Sequence, residues 1–139
     1  MRSTIIVFLL AVLVTSPSLA QNEPVVLGAL PGEWYQIASN AGKCQDCRIR
    51  IERVGQDFTV TSNNGWSAIV RQSFQGKPFV AGKGGWRQNF GGVYAGRAFF
   101  LNLGMKGDEL LMLMTVPSPD GNLQNIEAIF GRQAASGGT

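Results

Sequence analysis

The residues of this 139-residue chain that could do chemistry are two cysteines, a Gly-rich run around a lysine, one adjacent pair of acids and four aromatics. Cys44 and Cys47 stand three positions apart in Cys-Gln-Asp-Cys. Such a pair could belong to a zinc site, a haem attachment, a redox centre or a local disulfide. Zinc needs about four ligands, and the chain has no His and no second Cys pair. Haem attachment needs His where Arg48 stands. A thioredoxin-type pair sits beside a βαβ pattern, and none is legible here. Gly82-Lys83-Gly84-Gly85-Trp86 looks like a phosphate cradle, but it lacks the spacing, the hydroxyl residue and the following helix that a P-loop requires. A bulge or tight corner in a strand explains it better. Without His, the commonest general base and every Ser-His-Asp or Cys-His arrangement are excluded. Asp108 and Glu109 are the only adjacent acids. Neighbours on a strand point to opposite faces, so they do not form a paired acid and base. No enzyme activity, metal or cofactor is expected.

The elements that position these residues begin after residue 20. Arg2, the ten-residue apolar run 5–14 and Ser18-Leu19-Ala20 read as a secretory signal peptide over 1–20, cut before Gln21. The apolar run is too short to span a bilayer. The protein is therefore expected to be secreted or periplasmic, with no transmembrane span once the leader is removed. Cutting at Gln21 leaves 119 of the 139 residues, one domain's worth. It also lowers the net charge from +3 to +2. Arg48, Arg50 and Arg53 are the only basic cluster and read as a solvated strand face, so no nucleic-acid partner is expected. Export places Cys44 and Cys47 in an oxidising compartment. A local disulfide is then the favoured reading, worth about 2 kcal/mol for so small a loop; a redox pair and free thiols are the alternatives.

Residues 21–31 read as a flexible lead, 32–133 as the folded domain and 134–139 as a disordered tail. Within the domain, β-rich runs alternate with Gly, Asn, Asp and Pro clusters. Eight strands are expected, over 33–39, 48–54, 57–62, 66–73, 78–83, 93–103, 109–116 and 123–130. The run 48–54 shows period two, with Ile49 and Ile51 on one face and Arg48, Arg50 and Glu52 on the other. Asn63-Asn64-Gly65 contains the strongest short hairpin signal. Gly84-Gly85 is expected to bend the fifth strand before Trp86. Hairpin-length links make sequence neighbours spatial neighbours. A meander of eight strands leaves two edges open unless it closes. The expected fold is thus all-β, an antiparallel up-and-down eight-stranded barrel.

The two ends of this region resemble the calycins, the group that holds lipocalins, fatty-acid-binding proteins and avidins. Gly32-Glu33-Trp34 matches their Gly-x-Trp on the first strand, and Arg132 matches the Arg after the last. The resemblance implies that Trp34 and Arg132 pack together and close one end of a calycin-like barrel. A second resemblance is to the secreted bacterial inhibitors of metalloproteases, which are small eight-stranded barrels with one disulfide. The signal peptide, the lead before Gly32 and Gly85-Trp86-Arg87 carry it.

Trp66, Trp86, Phe90 and Tyr94 fall near strand ends and turns, where they could stack on a small apolar or amphipathic ligand at a barrel mouth. A filled core is the plainer use of such residues. In 98–101 and 110–114 both strand faces are apolar. One face can line the interior; the other, with Phe99, Leu111 and Leu113, is expected to form a partner surface or a homo-oligomer contact. Met112 and Met114 would make such a surface adaptable. The sequence supports a non-catalytic ligand-binding barrel first. A protein-interaction module, such as a metalloprotease inhibitor or a structural subunit, is the alternative.

Overall fold

The computed structural model describes residues 25–72 and 79–133. The expected signal peptide and C-terminal tail lie outside the described residues. Eight antiparallel strands close into one barrel in sequence order. They are β1 (Gly32–Ser39), β2 (Arg48–Val54), β3 (Asp57–Ser62), β4 (Trp66–Gln72), β5 (Phe79–Trp86), β6 (Ala98–Lys106), β7 (Glu109–Pro117) and β8 (Leu123–Gly131). Closure is made by β1 on β8, where Tyr35 pairs Gly131 and Ser39 pairs Ala128, with a register shift between Gln36 and Ala38. The up-and-down barrel read from the sequence is the observed fold.

Alternation decides which side chains fill it. On β2, Ile49 and Ile51 are buried while Arg48, Arg50 and Glu52 are exposed. On β7, Leu110, Met112, Met114 and Val116 all point in. Phe58, Val60, Val70, Leu101, Leu103 and Phe130 complete a single apolar cluster. This cluster fills most of the interior.

Three expectations are corrected. Residues 93–97 are not strand. The glycines at 91, 92 and 96 take positive φ, which favours turns over extended chain, and a short 3₁₀ turn forms at Gly92–Tyr94. β5 does not bend away at Gly84-Gly85; it stays in register with β4 as far as Trp86, which pairs Trp66. The reason is close approach. A Cβ on Gly82 would lie 1.9 Å from the Ile69 carbonyl oxygen, and one on Gly84 would lie 2.2 Å from that of Ser67. The glycines let β5 lie against β4 with no side chain between. Third, the described part of the lead is not a bare tether. A one-turn helix α1 (Val25–Ala29) leads to Leu30, which is fully buried, and Leu27 is nearly so. Both join the core cluster, so burying them offsets the cost of ordering the lead.

These residues seal one end of the barrel. Trp34 is buried, and its Nε1–H donates to the Leu30 carbonyl at 2.8 Å. The Arg132 guanidinium lies over the Trp34 ring, 3.6 Å from its centroid. It donates to the carbonyls of Glu33 (3.3 Å) and Ala29. Gly32 makes room: its φ is +121°, and a Cβ there would come within 2.8 Å of Arg132 Nη1.

Candidate functional site at the barrel mouth

The opposite end is built from the loop 40–47, the turn at 63–65, the loop 87–97 and the loop 118–122. A cavity of about 280 Å³ opens among the first three. Its floor is the inward face of the barrel: Ile49, Trp66, Met112, Met114, Ile126 and Phe130. Period two explains why β7 supplies both methionines, since they share the face of buried Leu110. Polar groups ring the opening, among them Gln36, Ser39, Ser62 and Asn64, with Lys43 and Arg48 at the edge.

Local bonds hold this ring. Cys44 and Cys47 form a disulfide with Cα atoms 5.4 Å apart, pinning the loop that carries Lys43. Cys47 is buried and accepts a hydrogen bond from Asn64 Nδ2 at 3.6 Å. Ser62, the only buried polar residue among those described, bonds to Asn64. Asn63 ties the turn to the loop, donating through Nδ2 to the Asp46 carbonyl (2.6 Å) and accepting the Arg48 N–H (2.9 Å).

Of the four aromatics expected at a mouth, three meet there. Trp66 and Trp86 pack edge to face with centroids 6.4 Å apart, and Tyr94 stacks on Trp86 at 6.4 Å and 27°. All three line the cavity. Phe90 does not. It lies over Gly65, whose Cβ position would be 2.2 Å from that of Phe90, and it is half exposed. Trp86 Nε1 is the single buried side-chain nitrogen or oxygen, among the described residues, with no hydrogen-bond partner.

The expected partner face is partly corrected. Phe99 is buried and packs edge-on against Trp66 at 5.6 Å; its neighbour Phe100 points out, 52% exposed. Met112 and Met114 likewise point in. Leu111 is exposed and Leu113 half-buried. Cross-strand pairing sets Gly104, Leu111, Ile129 and Ala38 in one row on the outer wall. A shallow groove of about 580 Å³ follows this row, with Phe79 at one end and Glu127 as its only charged residue. The larger hollow is thus on the wall rather than at the mouth.

Among the described residues no three His, Cys, Asp or Glu gather as metal ligands, and no helix is long and apolar enough to cross a membrane. The two acids with shifted titration are held by structural bonds. The Arg71 side chain, bonded at 2.7 Å, lowers Asp57 below the usual carboxylate value. Asp120 is lowered by Ser118 and by the Asn122 backbone N–H. Neither faces the cavity.

Apart from Trp66, the sequence reading missed the cavity floor and its polar ring. Met112 and Met114 were legible through their period-two relation to Leu110. Ser62, Asn64 and Lys43 were not, because a loop and two turns bring them together. Comparison with known protein families and with curated proteins found no match for this chain.

Proposed function

We propose that this is an exported, non-catalytic barrel that holds a small apolar or amphipathic ligand at its mouth. The observation that carries the reading is the 280 Å³ cavity, which joins an apolar floor to a polar ring beside paired tryptophans. That volume is close to the roughly 300 Å³ at which small-molecule sites begin, so the ligand is small. The Trp34–Arg132 packing supports a calycin-like assignment, and the first twenty residues support export. Native mass spectrometry of the mature protein tests the function. The expected result is a retained small mass that is lost when Met112→Trp fills the cavity floor. A ligand-free chain under every purification condition overturns it.

A second reading is favoured by the wall groove along Leu111 and Ile129, which is larger than the mouth cavity and has Glu127 as its only charged lining residue. In it the barrel is a protein-interaction module. A clean dimer or a bound protein in the same spectrum, abolished by Leu111→Asp, supports this reading over the first.

A further inference from the structure

The polar ring of the mouth is one-sided in charge. Its charged lining residues are Lys43 and Arg48, and no carboxylate lines the cavity. Asp46, on the same loop, lies outside the lining. Neither Lys43 nor Arg48 is held in an ion pair among the described residues. Arg87 and Arg97 on one mouth loop and Asp120 on another also lie outside the lining. An opening walled by one sign of charge concentrates ions of the other sign.

A second observation points the same way. Trp86 Nε1 is buried with nothing to donate to. Buried donors left unpaired are costly, and such groups in folded proteins call for an explanation. The indole lines the cavity, stacked under Tyr94. Its N–H is shut off from water in this state, so an acceptor reaches it only when the Trp86–Tyr94 stack turns. The loop bearing Tyr94 has positive-φ glycines at 91, 92 and 96, where the backbone turns without Cβ strain.

We propose that the mouth cavity selects a small organic anion with an apolar body. The body lies against Met112, Met114 and Phe130. The anionic head faces Lys43, with Arg48 on the outer face of β2 at the rim, and one of its oxygens accepts the Trp86 Nε1–H. The cavity equals the liquid volume of about nine waters, which suits a one- or two-ring carboxylate and is too small for a long-chain lipid. This rests on the mouth reading given above and adds the class of ligand.

The test uses two probes of one shape, 1-naphthoate and its neutral counterpart 1-naphthamide, titrated calorimetrically into the mature protein. Indole N–H signals are followed by NMR, with Trp86 assigned by Trp86→Phe. The expected result is naphthoate bound about tenfold tighter than naphthamide, with the Trp86 indole proton moving downfield. Lys43→Met, at an exposed site, should reduce that preference severalfold, and Arg48→Met, on the outer face of β2, should reduce it less. Equal affinities for the two probes overturn anion selection while leaving a mouth site standing. Naphthoate binding with the Trp86 signal unmoved overturns the hydrogen bond. Binding of neither probe overturns the mouth reading itself.

Discussion

Replacing Arg132 by Met keeps most of the side chain's volume and removes its charge and donors. The guanidinium 3.6 Å above Trp34 gives a cation–π contact of about 0.5–2 kcal/mol. The bond to the Glu33 carbonyl is long, at 3.3 Å, and in a solvent-exposed setting adds about 0.5–1 kcal/mol. The bond to Ala29 adds a similar amount. Arg132→Met should therefore cost about 1.5–4 kcal/mol. For a domain of this size that lowers Tm by roughly 6–16 °C. Chemical denaturation should show a lower midpoint with unchanged slope, because the barrel still unfolds as one unit. The bond to Ala29 also ties the helix α1 to the barrel, so amide exchange should quicken at Leu27 and Leu30 more than in the strands. Gly32→Ala completes a cycle. Alone, it meets both the strained φ of +121° and the 2.8 Å approach to Arg132. In the Arg132→Met background only the strain is left, so the two changes should cost less together than their sum. A stability change within 0.5 kcal/mol for Arg132→Met, or strict additivity with Gly32→Ala, refutes the claim that Arg132 seals this end.

Other substitutions test the rest of the structure. Gly82→Ala should cost about 3 kcal/mol or prevent folding, since its Cβ would meet the Ile69 carbonyl oxygen at 1.9 Å; urea unfolding reads this. Gly85→Ala is the internal control: its nearest contact is 3.7 Å away, and it should be neutral or stabilising by about 0.5 kcal/mol. On acidification, Asp57 is lowered in the folded state by Arg71. Its contribution is full above the unfolded-state carboxylate value of about 3.9 and is lost as pH falls through the lower folded value. An NMR titration should place the Asp57 midpoint below 3.8, and Arg71→Gln should return it to the usual value; a wild-type midpoint at or above 3.8 contradicts the assignment.

The number of strands, their order and most of their bounds were legible in the sequence, because period-two patterning and turn residues are local signals. Ile49 and Ile51 against Arg48 and Arg50 reveal a half-buried strand with no knowledge of its partners. Gly-x-Trp and the distant Arg132 marked the sealed end, but only the closed β1–β8 pairing brings that Arg over the ring. Tertiary structure alone decided what two apolar faces on β6 and β7 would do. Phe99 and Phe100 are equivalent as residue types, and β6 residues pairing through to β5 and β7 fix which one enters the core. Phe90 and Tyr94 were also alike in the sequence, and the path of one Gly-rich loop put Tyr94 on the cavity and left Phe90 outside. The mouth gathers residues from seven strands and three intervening segments, so its shape depends on where rigid elements meet in space. Local chain preferences set the elements themselves, while closure of the ring set which of their ends became a site.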